Sequence, residues 1–174
     1  MKVIGIAGWS GAGKTTLLTR VIPCLIARGL RVSTIKHAHH AFDVDLPGKD
    51  SHTHRAAGAT EVLVSSATRW ALMHEMRGES EMTLDALLAK LSQIDLVLVE
   101  GFKTQPHPKL EVFRAVVGKP LLHPDDTNIV AIASDGPVEA SVRVIALDDI
   151  EAVADLLVEK AVPLDTVMAR VRSA

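Results

Sequence analysis

The chain has 174 residues, 48% of them hydrophobic, which is enough for a buried core and too many for wholesale disorder. Lys and Arg number 19 against 21 Asp and Glu, for a formal net charge of -2, and aromatics are 3% with no Tyr. With no block of like charge, these values argue against a nucleic-acid binder, a base-stacking platform or a membrane-surface protein.

The length predicts a single domain over residues 1–174. The one cysteine, Cys24, leaves no internal disulfide and fits a reducing compartment. The apolar run 3–7 is too short for a secretory signal and breaks at Gly8. No stretch approaches the ~18 apolar residues of a membrane span. A cytoplasmic protein is expected.

In chain order, residues 3–7 read as a buried strand. Residues 15–28 read as a helix closed by Gly29, with Pro23 inside it as a source of a kink. Residues 31–36 form a second strand. A polar loop rich in His and Asp follows, and Ser51 is placed to cap a short helix that stops at Gly58. Glu61–Ser65 and residues 70–75 read as strands, and Thr83 as the cap of a helix through Leu91. Leu96–Glu100 is a continuous apolar run, as in a strand buried on both faces. Residues 110–115, Ile129–Ser134 and Arg143–Ala146 are further strands. Residues 149–160 form an amphipathic helix, which Pro163 separates from a helical tail. Such alternation predicts an α/β fold, a mostly parallel sheet of the P-loop NTPase type with helices on both faces.

Gly8-Trp9-Ser10-Gly11-Ala12-Gly13-Lys14-Thr15 fits G-x-x-x-x-G-K-[ST], with a strand before it and a helix after it. The glycines permit a tight turn whose N–H groups converge on phosphate oxygens. The following helix aims its positive end at the same place. Lys14 offers a charge to the β- and γ-phosphates, and the Thr15 hydroxyl is a magnesium ligand. Trp9 either packs against a neighbouring loop or subunit or touches the ligand.

A second acidic group belongs at the end of a buried strand, where α/β proteins bind ligands. Glu100 stands there, after four apolar residues and before Gly101. The alternative is a structural carboxylate paired with Lys103. Asp95, at the other end of the strand, reads as a cap. In the loop after the second strand, His37, His39, His40, Asp43, Asp45, Lys49, Asp50, His52 and His54 crowd together. They read as a switch-like element reaching Mg²⁺, as a solvated loop, or as a transition-metal site, although the spacing matches no standard zinc pattern. Cys24 reads as core packing.

The motifs together resemble a known family, the molybdopterin-guanine dinucleotide biosynthesis adaptor proteins (MobB). The resemblance spans nearly the whole chain. It rests on the phosphate loop continued by Thr16-Leu17-Leu18, on Ile35-Lys36-His37-Ala38-His39-His40, on Asp43-Val44-Asp45 and on Pro47-Gly48-Lys49-Asp50-Ser51. Ala57-Gly58-Ala59, Arg69-Trp70-Ala71-Leu72-Met73, Leu98-Val99-Glu100-Gly101-Phe102-Lys103 and Ala131-Ile132-Ala133-Ser134-Asp135 complete it.

The resemblance implies a GTP-binding homodimer with at most slow GTPase activity. It would assist the guanylyltransferase that joins GMP to molybdopterin. By position, Gly8, Ser10, Gly11, Ala12, Gly13, Lys14, Thr15 and Thr16 would hold phosphates, and Thr15, Asp45 and Glu100 would hold Mg²⁺. The Asn-Lys-x-Asp guanine motif of common GTPases is missing. Asp135 is the nearest substitute, and its alternative is a turn cap before Gly136-Pro137.

Two other classes compete. A small P-loop kinase would need an arginine-bearing lid, whereas Arg55, Arg69, Arg77 and Arg114 are scattered. A scaffold with a vestigial nucleotide site is opposed by the intact Gly13-Lys14-Thr15 run. Residues 70–73 read as either an interface or core.

Overall fold

The computed structural model describes residues 1–38 and 42–173. His39 and His40 of the histidine-rich loop lie outside them. The chain forms two compact units, Met1–His37 with Leu84–Ala174, and Ala38–Thr83.

The larger unit is built on a seven-stranded sheet. Its strands are β1 (Lys2–Ala7), β2 (Val32–Lys36), β5 (Leu96–Glu100), β6 (Lys109–Phe113), β7 (Ile129–Ser134), β8 (Arg143–Ala146) and the two-residue β9 (Val162–Pro163). The order is β2-β5-β1-β6-β7-β8, and every pair along it is parallel. β9 is antiparallel to β1 and was not separable in the sequence from the break at Pro163.

Alternation along the strands divides the core between two faces. Ile4, Ile6, Leu98, Leu110 and Val112 pack with α1 (Lys14–Ala27) and α4 (Ile150–Lys160). Val3, Ile35, Val97 and Val99 pack with α3 (Leu84–Ala89) and α5 (Leu164–Ser173). Helices thus cover both faces, as the alternating pattern predicts.

Boundaries differ by a few residues, each for a local reason. β6 starts at Lys109, where the register to β7 shifts, and stops before a 3₁₀ turn at Ala115–Val117. α3 stops at Ala89 because Lys90 and Leu91 donate to Leu87 and Leu88, tightening the last turn. α1 runs through Pro23, whose missing N–H leaves the Thr19 carbonyl without its intrahelical donor. Gly29 closes α1 at φ 84°. Its N–H bonds Ile26 and the N–H of Leu30 bonds Leu25, which is a Schellman closure.

In the smaller unit, α2 (Asp50–Ala56) precedes the antiparallel pair β3 (Glu61–Ser65) and β4 (Trp70–His74). Lys49, not Ser51, takes the cap position of α2. β3 and β4 form a separate two-stranded sheet. Leu63, Val64, Trp70 and Leu72 are exposed on it.

Beneath β6 the core turns polar. His107, Lys109 and Glu111 are each 0% exposed. The Lys109 ammonium bonds Asp126 at 2.8 Å. Glu111 accepts from the backbone N–H of Leu122 (2.7 Å) and His123 (2.9 Å), which satisfies both carboxylate oxygens. His107 packs on Gly5, where an added side-chain carbon would lie 2.4 Å from its Nε2.

Candidate nucleotide-binding site

β1 ends at the turn 8–13, and α1 leaves from it. The turn needs glycine for steric reasons. Gly8, Gly11 and Gly13 have φ of 139°, 82° and 93°. A side chain at Gly8 would also strike the Val112 carbonyl oxygen at 2.5 Å. Ala12 donates to the Trp9 carbonyl at 3.2 Å, closing the turn. Ser10, Gly11, Thr15 and Thr16 are exposed at its rim. The helix N-terminus carries no side-chain cap, so its first N–H groups face the same concavity.

The Lys14 ammonium donates to the carbonyls of Gly8 and Trp9, each at 3.0 Å. Burial lowers its pKa; the Glu100 carboxylate opposes that shift, and Lys103 and Lys36 add to it. This is a cation held among like charges over a turn of N–H groups, an arrangement suited to a phosphate chain.

Glu100 closes β5 beside β1 and is 8% exposed. The Thr15 hydroxyl donates to its Oε1 at 3.3 Å. Two hard oxygens at that separation fit adjacent positions of an octahedral ion with ligands at about 2.1 Å, which are about 3 Å apart. The donor set therefore suits Mg²⁺. The ion pair of Glu100 is with Lys36 at 3.8 Å. Lys103, the partner weighed from the sequence, lies over the Trp9 ring at 4.5 Å. Gly101 turns the chain with φ 95°, and a side chain there would meet the His37 Cβ at 2.7 Å.

Trp9 packs on a neighbouring loop, its indole N–H donating to the Pro120 carbonyl at 2.8 Å. Asp95 ties β5 to β2, accepting from the Arg31 backbone N–H at 2.8 Å, and Arg31 holds its carboxyl below the usual carboxylate range. Cys24 is half-buried against the core, with its thiol pushed up by burial.

A cavity of about 400 Å³ opens beyond β7 and β8, lined by Arg20, Arg114, Asp135, Leu147 and Asp148 among others. Asp135 is exposed at its wall. The turn before Pro137 is held by Ser134, whose hydroxyl donates to the Gly136 carbonyl at 2.8 Å, and not by a cap from Asp135. Sequence reasoning missed Arg20, Arg114 and Asp148. Their one signal was a place just past, or on a helix beside, the carboxyl end of a strand.

Asp45 belongs to the smaller unit. Both its oxygens bond Arg55, the shorter contact being 2.6 Å, and Arg55 holds its carboxyl low. Arg55 also pairs with Asp43 and Glu75, at 2.8 and 2.7 Å. A magnesium role for Asp45 requires exchanging that ion pair. Among the described residues, no group of three or more His, Cys, Asp or Glu side chains is arranged to hold a metal.

The sequence model of the family described as molybdopterin guanine dinucleotide synthesis protein B matches residues 3–135. The chain is 46% identical over 160 residues to the molybdopterin-guanine dinucleotide biosynthesis adapter protein of Escherichia coli, covering 90% of this chain and 91% of that protein. It is 42% identical to the protein of that name from Haemophilus influenzae, over 89% and 86% of the two chains. A crystal structure of molybdopterin-guanine biosynthesis protein B superposes with a TM-score of 0.72 at 29% identity, over 90% of this chain and 98% of that one. A MobB homologue from Bacillus stearothermophilus superposes with a TM-score of 0.62 at 25% identity, over 99% of each chain.

Proposed function

The chain belongs to the molybdopterin guanine dinucleotide synthesis protein B family, and on that premise we propose that it is a GTP-binding adaptor of molybdenum cofactor biosynthesis. Gly8, Ser10, Gly11, Ala12, Gly13, Lys14, Thr15 and Thr16 hold the phosphates. Thr15 and Glu100 hold Mg²⁺, which neutralises phosphate charge when bound. Asp135 accepts from the guanine N1 and N2 edge at the mouth of the cavity. The partner is the guanylyltransferase that attaches GMP to molybdopterin, met in the cytoplasm, and hydrolysis is at most slow. The exposed apolar residues of β3 and β4 support a homodimer.

The observation that carries this reading is the joint placement of the Lys14 ammonium, the Thr15–Glu100 oxygen pair and the Asp135 carboxylate at the carboxyl ends of one sheet. Competitive calorimetry of GTP and ATP with Mg²⁺ tests it. The expected result is preference for GTP, loss of binding in Lys14→Ala and loss of the preference in Asp135→Asn. Equal binding of the two nucleotides to the wild type would overturn the guanine reading. Undiminished binding to Lys14→Ala would overturn the phosphate assignment.

A further inference from the structure

Arg114 follows β6 directly and lies between the phosphate turn and the cavity. A side-chain carbon built on Gly13 would sit 3.5 Å from its Nε, 3.6 Å from Cζ and 3.7 Å from Nη2. The same guanidinium lines the cavity beside Asp135, with Nε 3.8 Å from Asp135 Oδ2. That separation is too long for a hydrogen bond. The buried Nε has no hydrogen-bond partner among the described residues. A guanidinium is a planar fork of donors matched to phosphate and carboxylate oxygens, and a buried donor left unsatisfied calls for a ligand or a strain that explains it. Here the fork borders the turn that gathers phosphates, and it is held off the Asp135 carboxylate.

We infer that Arg114 is a nucleotide-binding residue: its fork bonds the sugar-proximal phosphate and, in turning to it, frees the Asp135 carboxylate for the base. The inference rests on the nucleotide reading above and adds to it a residue supplied by the chain itself, coupling phosphate recognition to base recognition. Phosphate thus becomes a condition for guanine selection. Guanosine alone meets an Asp135 that still faces the arginine's charge. A guanine nucleotide draws that charge away.

The test is displacement of a fluorescent GDP from the full-length chain by guanosine, GMP, GDP and GTP, in the wild type, Arg114→Gln and Arg114→Lys. A hydrogen bond between charged groups sets the scale, so Arg114→Gln should weaken GMP, GDP and GTP by about tenfold to a hundredfold. Guanosine should bind Arg114→Gln as well as the wild type, or better. Arg114→Lys, which keeps the charge and loses the fork, should fall between the two. If Arg114→Gln fails to fold, the lysine variant gives the same comparison of phosphorylated and unphosphorylated ligand. GTP held as tightly by Arg114→Gln as by the wild type would overturn the inference. So would a loss for guanosine equal to that for GTP, which would make Arg114 a prop of the cavity wall. Failure of the underlying reading has a separate signature, a wild type that binds no guanine nucleotide, and the inference falls with it.

Discussion

Single residues divide here into those whose chemistry is local and those whose chemistry depends on placement. Glu100 is of the second kind. It is nearly buried, bonded to Thr15 and within reach of Lys36. Glu100→Gln keeps the volume and removes the charge, so GTP should bind more weakly with Mg²⁺ and about equally in EDTA. Equal loss under both conditions would make the carboxylate structural. His107 bears on stability instead. Burial, with the Lys109 charge beside it, pushes its pKa down to about 4. The unfolded chain takes up a proton near pH 6.5, the folded chain only near pH 4, so stability falls as pH drops between those values. That shift corresponds to roughly 3 kcal/mol. His107→Leu should flatten the decline in urea unfolding measured from pH 7 to pH 4; an unchanged slope would place the titration elsewhere. The phosphate turn is legible in sequence because its glycines and lysine act within eight consecutive positions. Arg114 is much less so, since its one signal is a place just past the carboxyl end of β6.

Elements show the same split. α1, its glycine closure and the buried β5 follow from periodicity and turn chemistry. β9 is two residues long, and pairing that short leaves no pattern to read. Asp149 caps α4 by accepting from Ala152 at 3.0 Å, where the sequence placed the helix start. The Gly29 closure carries a measurable load. Alanine at φ 84° meets the left-handed penalty, so Gly29→Ala should cost about 1 kcal/mol and lower Tm by about 3 °C. A melting curve superimposable on the wild type would show that the closure relaxes without loss. β3 and β4 read correctly as strands. That they form their own sheet does not follow from their composition, because the apolar run at residues 70–73 fits an interface as well as a core, and Trp70 and Leu72 stand exposed.

At the scale of the whole molecule, the α/β architecture with helices on both faces is legible because strand, helix and strand follow one another through β1, α1 and β2, and a helix again follows β8. The compact unit Ala38–Thr83 is not marked by any Pro- or Gly-rich linker. Its exposed Trp70 and Leu72 carry a prediction for assembly. Trp70→Asp with Leu72→Asp should convert the proposed dimer to a monomer in sedimentation equilibrium. A dimer that survives both changes would move the interface elsewhere.

β1 draws its partners from Leu96–Glu100, from Lys109–Glu111 and from Val162–Pro163, and the Met1 carbonyl accepts from Leu164. β1 is therefore completed by residues that lie far along the chain. Closing such long loops slows folding. The phosphate turn shares that dependence on distant chain, because Gly8 lies against the Val112 carbonyl oxygen with no room for a side chain between them. During translation the nascent chain carries a nucleotide motif in its sequence before it has a nucleotide site. In pulse-labelled hydrogen exchange, the β1 amides should gain protection late, after those of the local β3–β4 hairpin.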